Sequence, residues 1–419
     1  METLACGHAG FAGGSRVCPH LIRPAERRDA EYLRLLTGEG LTADLACTAC
    51  DVEPPAWETI CEDCVALYDA GETGYLFGWR GEPGIRERPE TFAGTKSASR
   101  LPERQVLDFT GLPSADGRSL WLVLTRSGRL LRHDAGSGTS TLIRKRIRAD
   151  RVTRRARTLP RLRLHTSPDG RYAAIVNDYG RTGHVIDLDT GRPALTFDGG
   201  DFDHERVELS AAFTMHEDRA VLVHRTAGTR LDVSDAATGR LLTSRDQDQG
   251  YGYFHGALYV SPGGDRIADD GWVPGPTGVP CVWDLRRWLD GNVFEADGGP
   301  TRRTLCRHEF GWRGPVCWIG DDLLAVYGIG RPIIEHLPGV RVFSAVNGEL
   351  VHAFAGPRGD LFASDRHLYA AGCDGLTIWD PHTGERLGSV PGFVPSRRHP
   401  TTGELAGLDD GFLIRWTPG

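Results

Sequence analysis

Residues 166–191 read TSPDGRYAAIVNDYGRTGHVIDLDTG. Ser167-Pro168-Asp169-Gly170 is a turn signal, with Gly supplying the positive φ that reverses the chain. Tyr172–Val176 is an unbroken apolar run, as expected of a strand buried on both faces. A short polar break follows, then a second strand that ends near Asp187. Asp187-x-x-Thr190-Gly191 closes the unit with another tight turn. The same order recurs over residues 113–138, 215–239, 261–291, 318–348, 364–384 and 399–419. The closing glycines are Gly138, Gly191, Gly239, Gly291, Gly348, Gly384 and Gly419, on average about 47 residues apart. That period is close to one four-stranded propeller blade. The longer intervals carry insertions, GWVPGPTGVP at 271–280 and GIGRPIIEHLPG at 328–339.

The repeats resemble those of WD40-like propellers. CVWDLRRW and TIWDPHTG contain the Trp-Asp pair, as Trp283–Asp284 and Trp379–Asp380, and His308 matches the histidine half of such a repeat. The resemblance covers about residues 100–419 and implies a seven-bladed β-propeller, divergent in its motifs. It also implies that His255 and His308 form hydrogen bonds within their blades. A propeller closes only when its two ends pair. The last copy stops at its third strand, so the fourth is expected upstream, within residues 74–92 and best at Tyr75–Trp79.

The N-terminal region differs in kind. Six of the ten cysteines lie in the first 64 residues. Cys47 and Cys50 form one C-x-x-C pair, Cys61 and Cys64 another, and Cys6, His8, Cys18 and His20 stand upstream. Eight soft N/S ligands suffice for two tetrahedral zinc ions. Sequential and cross-braced pairings both remain open, as does rubredoxin-like iron at the four clustered cysteines. The cross-braced scheme resembles RING-type and related zinc modules, although here the first pair is C-x-H. Between the ligand pairs, Pro24 and Gly38 bracket a stretch read as one short helix with Leu33 and Leu36 on its apolar face. Residues 1–73 are thus expected to be a small zinc-stabilised α+β module of treble-clef or ribbon type, and residues 74–419 the propeller. The fold class is mainly β.

Composition narrows the function. The chain has 419 residues, 40% hydrophobic and 25% charged, with a net charge of −7. That balance gives no global electrostatic case for nucleic acid or an anionic membrane. Lys96 and Lys145 are the only lysines, a bias that fits a GC-rich bacterial genome. No apolar run is long enough to span a membrane, and the start lacks a secretory pattern. A cytoplasmic location is expected, where grouped cysteines bind metal more often than they form disulfides. Cys281, Cys306, Cys317 and Cys373 read as buried small hydrophobes.

Catalytic signatures are missing: the sequence has no G-x-S-x-G, Walker, H-E-x-x-H or Rossmann pattern. Asp201, Asp203, His204 and Glu205 gather in one loop, which reads either as a metal or acid/base site or as a solvated loop. Residues 143–164 hold ten basic side chains, among them Arg154, Arg155 and Arg157, against one acid, Asp150. Alternation in LIRKRIR suggests an edge strand with outward charge. The expected function is a non-catalytic protein-interaction scaffold or adaptor with structural zinc and a protein partner. The alternatives are an enzyme or ligand sensor in the propeller channel, and nucleic-acid contact through the zinc module and the 143–163 segment.

Overall fold

The structure is a computed structural model. It describes residues 85–149, 161–200, 208–245, 252–274, 277–309, 314–329 and 337–418, less residues 91 and 93. Upstream it describes only the strand segments Arg16–Val17, Tyr32–Leu36, Ala43–Cys47 and Glu58–Thr59.

Downstream of these segments, seven further sheets follow one another along the chain. Blade 1 comprises strands Val106–Leu112, Leu120–Thr125, Leu130–Asp134 and Thr139–Arg144, each antiparallel to the next. Blade 2 runs from Arg161 to Asp198, blade 3 from Ala211 to Asp235, and blade 4 from Phe254 to Thr304. Blade 5 runs from Val316 to Ala355 and blade 6 from Asp360 to Pro391. Blade 7 takes Arg397–Arg398, Leu405–Asp409 and Phe412–Thr417 from the end of the chain. The first strands of blades 7, 1, 2, 3, 4, 5 and 6 touch in that order, and so line the axis.

Period-two alternation explains the packing. In Tyr172–Asp178, Ala173 and Ile175 join a core shared with blade 1, while Tyr172, Ala174 and Val176 join one shared with blade 3. Seven such clusters occur, one between each pair of neighbouring blades, with blade 7 against blade 1 completing the circle. Continuous apolar runs therefore mark second strands. Fourth strands lie at the rim and are the more exposed, as in Thr139–Arg144.

The turns behave as their residues require. Asp187 Oδ1 accepts the backbone N–H of Thr190 at 2.8 Å, and Gly191 N donates to Asp187 O at 2.8 Å. Gly191 then takes φ 68°. The same aspartate-capped turn recurs at Asp134, Asp235 and Asp380. At Asp134 the Ser137 backbone N–H does most to hold the carboxyl below the usual range. At Asp187, burial opposes the shift and the Thr190 hydrogen bonds outweigh it. Blade 4 departs from this plan. Asp284 caps a helix, Leu285–Leu289, so its third and fourth strands are joined by a helical insertion.

Three expectations are corrected. The closing strand is Thr95–Arg100, paired antiparallel with Phe412–Thr417, and not a segment within 74–92. A Cβ on Gly94 would lie 2.0 Å from Trp416 Nε1, so the chain can enter this edge only through glycine. Residues 85–90 instead lie along blade 6, where Glu87 bridges Arg386 in parallel. Tyr75–Trp79 lies outside the described residues. Within the expected helix, Tyr32–Leu36 is a strand, antiparallel to Ala43–Cys47. Cys281 and Cys317 are buried as expected, but Cys373 is exposed, because it falls in the turn between Gly372 and Gly375.

Candidate functional site

The ring has two ends. One carries the Asp-Gly and Thr-Gly turns. The other, here the upper face, carries the turns between second and third strands and the links between blades. Charged side chains converge at the upper end of the first strands of blades 7, 1, 2 and 3.

Asp108 lies mid-strand in blade 1. Its Oδ1 accepts Arg397 Nη2 of blade 7 at 2.5 Å, and its Oδ2 accepts the Leu164 backbone N–H of blade 2 at 2.7 Å. Arg397 Nε also donates to the Phe109 carbonyl at 2.9 Å. One carboxylate thus joins three blades. Asp178 repeats the device one blade on: Oδ1 accepts Leu209 N at 3.1 Å, and Oδ2 faces Arg163 Nε at 3.0 Å and Arg161 Nε at 3.3 Å. Glu208 pairs with Arg163 Nη1 at 2.8 Å and with Arg161. Burial raises the Asp178 carboxyl, and the Arg163 charge pulls it back only in part. Both oxygens of each aspartate are engaged, so their chemistry here is blade fixation. Removing one partner from such a cluster strands the other charge.

The repeat histidines are hydrogen-bonded. His255 Nδ1 and Asp269 Oδ2 are 2.6 Å apart within blade 4, and Gly256 N donates to Asp269 Oδ1 at 2.9 Å. His308 Nε2 lies 3.1 Å from Cys306 Sγ, and its ring also meets Arg341 of blade 5, so its contacts reach the next blade. Burial pushes the Cys306 thiol up to about 12, well above a reactive range. Nearer the axis, His165 Nε2 and Arg398 Nε are buried without a hydrogen-bond partner. Burial holds His165 well below the usual imidazole range, and Arg163 and Arg397 add to that.

The remaining expected site residues are placed as follows. Cys47 ends a described strand, its backbone opposite Tyr32. Cys6, His8, Cys18, His20, Cys50, Cys61 and Cys64 lie outside the described residues, as do Asp201, Asp203, His204 and Glu205. Among the described residues no cluster of three potential metal ligands occurs. Of the basic segment, Arg144 is on the outer strand of blade 1 and donates to the Gly191 carbonyl at 2.7 Å. Arg161 and Arg163 are not on an outer edge: they belong to the first strand of blade 2 and are held by Asp178 and Glu208. Arg151, Arg154, Arg155 and Arg157 lie outside the described residues. Asp108 and Asp178 were missed, although a carboxylate interrupting an apolar run, in VLDFTGL and AAIVND, is the available signal.

The fold defines the class: a seven-bladed β-propeller. No protein-family model matches the chain, and no curated protein matches it. Solved structures do. U3-55K aligns with a TM-score of 0.50 at 11% identity, covering 77% of this chain and 98% of that one. A mitotic checkpoint complex chain aligns at 0.49 and 14% identity, covering 80% and 92%. The β-propeller domain of Cps50 (Swd1) from Myceliophteria thermophila aligns at 0.49 and 14%, covering 79% and 100%. At these identities the likeness is one of fold.

Proposed function

We propose that this chain is a non-catalytic protein-interaction scaffold or adaptor. Its N-terminal module, residues 1–73, is built on one or two zinc ions held by Cys6, His8, Cys18, His20, Cys47, Cys50, Cys61 and Cys64. The observation that supports the scaffold reading is a contrast at the upper face. Asp108, Asp178 and Glu208 there are spent on holding blades together, while large apolar side chains stand in solvent at the closing seam. Leu107, Val394, Leu408 and Phe412 are 46%, 48%, 40% and 40% exposed. All four sit at the upper ends of blades 7 and 1 or in the link before blade 7. Exposed apolar side chains grouped at one end of a rigid ring suit a protein partner. Nucleic-acid contact through residues 143–163 is less well supported, since Arg161 and Arg163 are already neutralised.

Affinity capture from the native cell tests this. The full chain is expected to retain a defined protein set. Leu107→Asp with Phe412→Asp is expected to lose that set at an unchanged melting temperature. Retention of nothing above bare resin overturns the scaffold reading, and an unchanged set overturns the assignment to this face.

A further inference from the structure

A second group of apolar side chains stands at the rim of blade 5. Val346 is 57% exposed, Leu350 51% and Val351 55%. Val346 lies in the turn before the fourth strand, Leu350–Ala355, and the other two residues begin that strand. A register shift between Val342 and Phe343 leaves Val351 without a direct partner. Three aliphatic side chains within six residues, each more than half exposed, are not what a rim turn and outer strand in water select.

The strip adjoins the place where the N-terminal region joins the ring. Residues 85–90 run along the outer edge of blade 6, with Glu87 bridged to Arg386. Arg386 N donates to Arg86 O at 2.8 Å, Arg88 N to Arg386 O at 3.0 Å, and Glu90 N to Leu387 O at 2.8 Å. Arg86 Nη2 donates to Thr383 O at 2.5 Å and Arg88 Nη2 to Asp380 Oδ2 at 2.8 Å, so both grip the turn between the third and fourth strands of blade 6. His352, two residues beyond Leu350, bonds the same turn through Pro381 O at 2.7 Å. Ile85 packs against the core shared by blades 5 and 6. Ile85 therefore sits at the blade 5/6 boundary, its side chain near Gly356, just past the end of the strand that Leu350 and Val351 begin.

We propose that the apolar strip Val346–Leu350–Val351 is the docking surface for the chain's own N-terminal module. Residues 74–84, even fully extended, keep that module within about 40 Å of Ile85. A metal-built unit of this size buries little apolar surface on its own and gains from a neighbouring apolar face. The strap fixes where the module starts, and the strip gives it a surface to rest on. The inference rests on residues 1–73 forming a folded unit, as proposed above.

A photo-crosslink tests it. With p-benzoylphenylalanine in place of Val351 in the full chain, irradiation is expected to give intrachain adducts to peptides within residues 1–73. The same label at Leu142, exposed on the rim of blade 1, is expected to give none. Adducts at monomer mass that disappear in Cys47→Ser/Cys50→Ser support the proposal. A species of twice the mass assigns the strip to a second copy and overturns it, as does the absence of adducts from a sample that contains zinc. Elemental analysis of the same sample separates the two claims. Zinc without adducts defeats docking alone, and adducts without zinc defeat the metal assignment alone.

Discussion

Arg397 and Asp108 are 289 residues apart in sequence and 2.5 Å apart in space. Their ion pair joins the last blade to the first near the axis, while Thr95–Arg100 pairs antiparallel with Phe412–Thr417 at the rim of blade 7. A second set of bonds closes the same seam towards the other face. There Arg415 Nη1 donates to Glu404 Oε1 at 2.9 Å, and Arg415 Nη2 to Ala135 O at 3.1 Å. The ring thus closes by hydrogen bonds between strands, by a shared apolar core and by two sets of charged contacts.

Asp108→Ala leaves Arg397 without its carboxylate and the Leu164 N–H without an acceptor. A loss of about 2–4 kcal/mol is expected, read as a lower denaturant midpoint at an unchanged m-value. Asp108→Asn keeps one acceptor and is expected to lose less. Equal losses for the two variants would show that the charge carries the whole effect.

Truncation separates the strap from the closing strand. A chain beginning at residue 85 keeps Thr95–Arg100 and is expected to stay a folded propeller. A chain beginning at residue 101 leaves Phe412–Thr417 as a bare edge and is expected to associate. Size-exclusion chromatography with light scattering reads both, and a monodisperse monomer from the shorter chain would contradict the closure described here.

Acid is expected to weaken the ring through its buried histidines. His224 is 3% exposed, with Nε2 2.9 Å from Ser234 Oγ. Burial lowers its pKa to about 4, against 6.5 in the unfolded chain. The folded state therefore binds fewer protons than the unfolded one between these values. Stability from this group is full above pH 6.5 and is lost as pH falls towards 4. The loss is on the order of 3 kcal/mol. His133, His165 and His399 are shifted the same way, first by burial. His224→Gln is expected to flatten the fall in melting temperature between pH 6.5 and pH 4 in part. An unchanged slope would remove His224 from the account.

The proposed metal module is testable separately from the ring within the full chain. One to two zinc ions per chain are expected by elemental analysis after anaerobic purification. Cys47→Ser with Cys50→Ser is expected to lower the zinc count and unfold residues 1–70 while the propeller's cooperative melt stays in place. A preparation without metal would remove the zinc assignment. Loss of all structure in the double variant would show that the module and the ring are one cooperative unit.

Much of the ring was legible because its signals are local. Gly138, Gly191, Gly239, Gly291, Gly348 and Gly384 all have positive φ, and each was marked by a Gly recurring at the repeat period. Tyr172–Val176 was readable as a doubly buried strand because both neighbouring sheets demand apolar side chains. The closing strand was misplaced because TKSASR at 95–100 is polar. Its residues lie at the rim and are chosen for water, so hydrophobicity pointed upstream to the aromatic YLFGW. The Tyr32–Leu36 strand was misread because YLRLL fits a short helix face and a strand equally well, and the pairing partner decides between them.

The sequence by itself determined the repeat, the number of blades and the strands that are buried on both sides, since these follow from turn chemistry and side-chain alternation within each copy. Tertiary structure alone decided which strand closes the ring, which of the clustered arginines are neutralised, and that residues 85–90 strap blade 6. Those outcomes depend on pairs such as Arg397–Asp108 and Arg88–Asp380, brought together only when the chain comes full circle.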